Sequence, residues 1–334
     1  MWYWILGIIL LLLAVFTAVA YAAFSFAIVR PKAKKPPTDA VRIEREKIRA
    51  KNNAYLFSLN PEDVSIKSAD NLTLRGWFLP ATANRRRFVI CVHGYHCNGP
   101  DEFSHMVPFY HDELDYNYLL PDDRAHGRSE GKYIGFGALD HKDILRWVDY
   151  LTGRFGEDIE IILHGISMGA ATVMLANEAD PPDQVKLVIE DCGYTNAFEE
   201  ISNTLKGMIK FNFTPLVSMA ALICKIKAGY HFKEADCLGR LGLAKNPMLF
   251  IHGDADTFVP TRMGLQLYEA CTVPKDILIV KGAVHAYSYY DAPEEYRAKV
   301  KCFIKKYMDN VQNRRGTHEE YEVQGPKSAV GRAD

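Results

Sequence analysis

The chain has 334 residues, 48% of them apolar and 24% charged, with a formal net charge of −1. That length suffices to bury one large core, and the composition is that of a globular protein carrying an apolar appendage. A charge balance so near neutral, with no basic stripe interleaved with aromatics in the body, excludes a nucleic-acid binder, whose partner demands a positive field.

The appendage comes first. Residues 1–29 carry no charged side chain. A helix from Trp2 to Val29 would run roughly 42 Å at 1.5 Å per residue, enough to cross a ~30 Å hydrocarbon layer with tilt. Trp2, Tyr3 and Trp4 would occupy one headgroup belt, and Tyr21 to Phe26 lie towards the other. Ala18-Val19-Ala20 resembles a signal-peptidase site, but no basic segment precedes the apolar run, which is long for a leader. The expectation is an uncleaved, single-pass anchor. Arg30, Lys32, Lys34 and Lys35 follow at once, which by the positive-inside rule puts the body on the cytoplasmic face. Seven cysteines without framework spacing are compatible with a reducing compartment.

From residue 30 to 61 the chain reads as a basic juxtamembrane linker, stiffened by Pro36-Pro37, with a short helix over Asp39 to Ala50. Beyond it, strands and helices alternate. Val64–Ser68 and Leu72–Leu79 predict a hairpin turning at Asp70-Asn71. Phe88–Val92, Tyr118–Leu120, Ile159–Leu163, Val185–Ile189, Pro247–Ile251 and Ile277–Val280 are short, near-continuous apolar runs. Ile144, Leu145, Trp147, Val148 and Leu151 recur at a helical period, and further helices are expected at about 170–176, 261–271 and 294–308. This pattern predicts an α/β fold: a mostly parallel eight-stranded sheet with helices on both faces. Nearly 60 residues separate the strands at 185–189 and 247–251, too many for one helix and two loops. Phe198, Ile201, Leu205 and Met208, then Leu216, Met219, Leu222 and Ile223, have helical spacing there. They predict a small helical cap, about 194–246, over the carboxyl end of the sheet. Phe198, Met208, Phe211, Phe213 and Met219 are candidates for lining an acyl pocket. Residues 310–334 are polar and aperiodic and read as a disordered tail.

The chemistry centres on Gly165-x-Ser167-x-Gly169, which sits between the run Ile159–Leu163 and the small-residue helix after it. Strand, sharp turn and helix are the context of a nucleophile elbow, where a Cβ at either glycine would clash. A serine hydroxyl needs a base within hydrogen-bond reach and a group to orient that base. His285 and Asp256 each follow a strand, and the order Ser167, Asp256, His285 suits this sheet. Asp254 and Asp191 remain alternative acids; His126 and His164 lie near strand ends but precede Ser167. Donors for a developing oxyanion are the backbone N–H of Met168 and that of Tyr95, after Gly94. The remaining histidines show no ligand spacing, so neither metal nor organic cofactor is expected.

His93-Gly94-Tyr95, Asp122-x-Arg124-x-His126-Gly127-x-Ser129-x-Gly131, Gly165-x-Ser167-Met168-Gly169, Glu190-Asp191-Cys192-Gly193-Tyr194 and His252-Gly253-x-x-Asp256-x-x-Val259-Pro260 together resemble the α/β-hydrolase superfamily over residues ~62–309. Within it they look most like bacterial membrane-anchored hydrolases of the BEM46-like and serine-aminopeptidase-like branch. Ala125 replaces the usual glycine of one loop. The resemblance implies a membrane-tethered serine hydrolase acting on an ester, thioester or amide of a small-molecule or acylated substrate. An acyltransferase on the same triad, or a non-catalytic binding protein of this fold, are the alternatives. Substrate and oligomeric state stay open.

Overall fold

The computed structural model describes residues 2–31, 40–211 and 213–309. In chain order it holds α1 (Trp2–Ile28), α2 (Ala40–Ser58), β1 (Glu62–Lys67), β2 (Thr73–Leu79), β3 (Arg87–Val92), α3 (Gly99–Phe103), β4 (Asn117–Pro121), α4 (Asp140–Phe155), β5 (Glu160–Ile166) and α5 (Met168–Glu178). Then come β6 (Val185–Asp191), α6 (Ala197–Ile209), α7 (Thr214–Ala228), α8 (Cys237–Arg240), β7 (Met248–Gly253), α9 (Thr261–Ala270), β8 (Lys275–Val280), α10 (Ser288–Asp291) and α11 (Pro293–Ile304).

The strands form one eight-stranded sheet in the order β1-β2-β4-β3-β5-β6-β7-β8. β1 and β2 pair antiparallel, as do β2 and β4; every other pairing is parallel. Asn71, in the turn of the hairpin, takes φ 67°, a left-handed conformation that asparagine tolerates. The connection that leaves β3 runs to β4 on one side, whereas the one that leaves its neighbour β5 runs to β6 on the other. A crevice opens at such a reversal, outside the carboxyl ends of the strands, and that is where ligands of open α/β sheets bind.

β3, β5, β6 and β7 are buried along nearly their whole length, because helices cover both faces. On one face α4, α5 and α9 contribute Trp147, Val148, Leu151, Val173, Met263 and Leu267 to a core against Phe88, Ile90 and Leu163. On the other, Tyr296, Val300 and Phe303 of α11 pack with Phe103, Phe109 and Tyr110 over Val89, Ile162 and Ile251. Each such large side chain contributes roughly 1.5–3 kcal/mol by leaving water.

The long insertion after β6, the stretch expected as a cap, supplies α6, α7 and α8; α7 packs against α1 and α6, and α8 against α5 and α9. α1 is 27 residues long, mean hydropathy 2.7 in its most apolar window, and is long and apolar enough to cross a membrane. Its exit is stitched to the body: Val29 bridges Tyr133, and the Arg30 guanidinium donates to the Ser129 and Gly127 carbonyls. Within the stretch expected as a linker, α2 extends beyond the short helix anticipated and docks on the body. Leu56 is fully buried, and Arg49 and Asn53 donate to the carbonyl and carboxylate of Asp101 at 3.1 and 2.8 Å. Residues 32–39 and the 310–334 tail lie outside the described residues.

Candidate active site

The elbow follows from steric necessity at two glycines. A Cβ on Gly169 would lie 1.9 Å from the Val92 carbonyl oxygen, and one on Gly165 would lie 2.1 Å from the Gly169 oxygen. β5 can therefore turn into α5 within three residues only with hydrogen at both positions. The turn holds Ser167 at φ 57°, ψ −114°, a strained conformation for a side-chain-bearing residue. The Ser167 N–H donates to the Asp191 carbonyl at 2.8 Å, which ties the turn to the neighbouring strand.

At this position Ser167 Oγ lies 2.9 Å from His285 Nε2, and His285 Nδ1 lies 2.7 Å from Asp256 Oδ2. With the Nδ1 proton donated to the carboxylate, Nε2 is left to accept from the serine hydroxyl; this tautomer is assigned from the hydrogen-bond network. Asp256 Oδ1 accepts from the Phe258 and Val259 N–H groups, both at 2.9 Å, so the carboxylate is fixed at both oxygens. Burial works against its charge, but contacts with His252 and His285 outweigh that and hold the carboxyl at about 2. It is an anion throughout the neutral range.

Met168 opens α5, so its N–H has no partner available within the helix and stands at the positive end of the helix dipole. Tyr95 follows β3 and, with Ser167 and Met168, lines one cavity. Gly94 allows the close approach: a Cβ there would come within 3.3 Å of both Ser167 Cβ and the Ile166 oxygen. Both residues expected from the sequence to supply backbone donors thus line the cavity that holds the hydroxyl.

The alternative residues are occupied elsewhere. Asp254 is exposed and accepts from the Gly282 N–H at 2.6 Å. Asp191 is buried and accepts from Ser288 Oγ at 3.2 Å. His164 is fully buried between the Tyr110 and Tyr296 hydroxyls, each at 2.9 Å, and burial pushes its pKa down to about 3. His126 accepts the His96 N–H at 3.2 Å through Nε2 and contacts the Arg124 carbonyl through Nδ1. The Asp122–Gly131 motif is scaffolding: Asp122 accepts from the Gly99 and Arg128 N–H groups, and Arg124 bridges Asp143 and Asp70. Ala125 adopts φ 61°, the conformation for which glycine is the usual choice.

The cavity beside Ser167 measures about 580 Å³, within the range that takes small ligands. Met208 and Phe213 line it as anticipated, joined by Leu205, Leu216 and Val217. Phe198, Phe211 and Met219 are not among its lining residues. Three features escaped sequence reasoning. Val19, Ala22, Ala23 and Phe26 of α1 form part of the cavity wall. The Tyr95 hydroxyl donates to the Ala27 carbonyl of α1 at 2.9 Å. Glu200, buried in α6, also lines the cavity, and burial raises its carboxyl to about 8. His252 is a fourth residue of note: its Nε2 lies 3.5 Å from Asp256 Oδ2 and 2.9 Å from the Val259 carbonyl, and the His-Gly-x-x-Asp spacing was the signal for it. Cys192 Sγ lies near Asp256 and His285, with one ligand atom of each within 4.8 Å of the others, and burial raises its thiol well above the ordinary pKa.

Comparison with known proteins agrees with this architecture. Residues 89–235 match the model of an alpha/beta hydrolase family. The chain is 29% identical over 247 residues to the uncharacterized protein YqkD of Bacillus subtilis, covering 74% of this chain and 80% of that one. It is 26% identical over 198 residues to the mouse lysophosphatidylserine lipase ABHD12, covering 58% of this chain and 47% of the lipase. Among solved structures, the esterase PF2001 of Pyrococcus furiosus superposes with a TM-score of 0.63 at 23% identity, over 84% of this chain and 98% of the esterase. Sheet order, the elbow and the family match over residues 89–235 alike support the alpha/beta hydrolase superfamily, whose fold the chain has.

Proposed function

We propose that the protein is a membrane-anchored serine hydrolase that cleaves an ester, thioester or amide through an acyl-enzyme. The observation that carries this reading is the unbroken relay from Ser167 Oγ through the His285 ring to Asp256, with separations of 2.9 and 2.7 Å. Ser167 attacks the carbonyl carbon, and its proton passes to His285 Nε2. Asp256 stabilises the imidazolium so formed, and the Met168 and Tyr95 N–H groups receive the oxyanion. His285 then delivers the proton to the leaving group, and water resolves the acyl-enzyme by the same steps in reverse.

The esterase and lipase among the similar proteins support the class of reaction. For the anchor, the support is packing. Phe16 and Ala20, which cleavage after Ala20 would remove, both contact the body: Phe16 meets Phe213 edge-on at 5.9 Å and Ala20 is fully buried. Arg30 and the basic residues after it support a cytoplasmic body. On this reading residues 1–29 are the anchor segment, with α1 within it, of a chain whose hydrolase domain spans 62–309. Replacing Ser167 by Ala abolishes p-nitrophenyl ester turnover; turnover that persists in purified Ser167→Ala protein rejects the assignment.

A further inference from the structure

The two halves of α1 are in different surroundings. Every residue from Trp2 to Val15 is exposed, whereas Ala20, Phe24 and Ile28 are buried in the body, with α7 alongside. The free half extends only about 20 Å at 1.5 Å per residue, well short of a ~30 Å hydrocarbon layer. With Trp2, Tyr3 and Trp4 at the far headgroups, the roughly 20 residues needed to cross run from Ile5 to about Phe24. The docked half up to about Phe24 therefore lies within the near leaflet, and the part of α7 packed against it must lie there too.

The surface of the cap has the chemistry for that depth. Met208, Ile209 and Phe211 at the end of α6, and Leu222 and Ile226 on α7, are all exposed. An apolar cluster of this kind marks an interaction surface. α7 contains no acidic residue, and Lys206, Lys210 and Lys227 at the edges can extend their amines to headgroups. The cavity that ends at Ser167 lies between the same two elements, with Val19, Ala22 and Ala23 on the α1 side and Leu205, Met208 and Leu216 on the cap side.

We propose that this cavity is an acyl-chain site open to the near leaflet, and that the substrate is a long-chain ester of a membrane lipid taken sideways from the bilayer. The proposal rests on the serine-hydrolase reading and gives it a substrate class. The chain lies between α1 and the cap with its carbonyl carbon at Ser167. Attack forms the Ser167 acyl ester and breaks the bond to the lipid's alcohol oxygen, which takes the proton from His285. Water then releases the fatty acid and restores the serine hydroxyl. Ser167 is 7% exposed beneath the cap, so a lipid reaches it along its own chain, whereas a cysteine thioester on a folded protein would have to thread in after it. The α1 wall is also joined to the oxyanion loop by the bond from Tyr95 to Ala27, so the anchor shapes both the site and the position of a donor.

The test uses the full chain in phosphatidylcholine vesicles. Ala23→Trp fills the cavity from the α1 side and lowers the ratio of p-nitrophenyl palmitate to butyrate turnover about tenfold or more. Val19→Trp, on an otherwise exposed helix surface, makes the same test should the first variant not fold. An unchanged ratio in the folded variant overturns the proposal. Depth is read separately: the added emission of Ile226→Trp over wild type is quenched by lipids brominated along their acyl chains, and emission that is not quenched overturns the embedding. In the same vesicles, release of fatty acid from a lysophospholipid exceeds release from an S-palmitoyl peptide; the reverse preference overturns the lipid assignment. Absence of Ser167-dependent butyrate turnover in wild type is a different result, and it defeats the hydrolase reading itself.

Discussion

On the proposed mechanism Ser167 is reactive only in company, and each companion is held by a different strand end. Of these, Asp256 gives the sharpest residue-scale test, because Asp254 stands two positions away. Asp256→Asn should lower kcat by roughly 10⁴-fold, as loss of the orienting carboxylate does in other triads, while Asp254→Asn leaves it within about threefold. Steady-state kinetics on the two purified variants check this. Sequence alone left these two acids open, since both follow β7 and alternate residues of a loop obey no fixed period. The turn decides: Asp256 accepts the Phe258 and Val259 N–H groups and faces His285, whereas Asp254 spends its carboxylate on Gly282. The elbow, by contrast, was legible, because glycine is demanded at positions 165 and 169 by backbone contact and not by packing fashion. Gly169→Ala would force its Cβ against the Val92 carbonyl at 1.9 Å. We expect a loss of at least about 3 kcal/mol, read as insoluble protein or as a much lowered denaturation midpoint.

At the scale of elements, strands and helices of the body were readable from their apolar runs and periods, and the surplus length between β6 and β7 pointed to the helices found there, α6 and α7. The docking of α1 was not. A helix that is apolar all round carries no signature of which residues meet protein and which meet lipid, so Val15 and Val19 look alike in sequence. α2 was likewise read as a solvated linker, because its charged residues hide the few contacts, Leu56 and Asn53 among them, that fasten it to the body. The link between α1 and the oxyanion loop makes its own prediction. Tyr95→Phe removes the hydroxyl that donates to Ala27 at 2.9 Å but keeps the ring and the backbone donor. It should lower kcat several-fold with KM for a short-chain ester little changed, because positioning of an oxyanion donor matters chiefly in the transition state. Equal kcat for Tyr95→Phe and wild type would show that the loop holds its place without α1.

Across the whole molecule, the buried ionisable groups set a pH dependence of stability. Burial raises Glu190 and Glu200 to about 8 and Glu178 to about 9, so the folded protein keeps these protons at neutral pH while the unfolded chain releases them near 4.5. Stability from them is present below the unfolded value and is lost as pH rises towards 8–9. Buried His105 and His164, both pushed down to about 3, act the other way: the unfolded chain binds protons below about 6.5 that the folded one refuses. The two trends oppose each other between about pH 4.5 and 6.5, and above that only the carboxyls act, so alkaline loss is their work. Thermal unfolding of the wild type should therefore move to lower temperature between pH 7 and 9, and Glu200→Gln should reduce that shift, since its amide has no proton to lose. A Tm that rises over this interval would contradict the burial argument.

The relay itself is tested most directly by phosphonylating the nucleophile. Full-length protein incubated with a fluorophosphonate, digested and analysed by peptide mass spectrometry, should carry the adduct on Ser167 alone. His285→Ala should slow its formation by several orders of magnitude at equal probe concentration, and Ser167→Ala should carry none. An adduct on another residue, or labelling of Ser167 at the wild-type rate without His285, would mean that the three side chains drawn together at the strand ends do not perform the chemistry assigned to them.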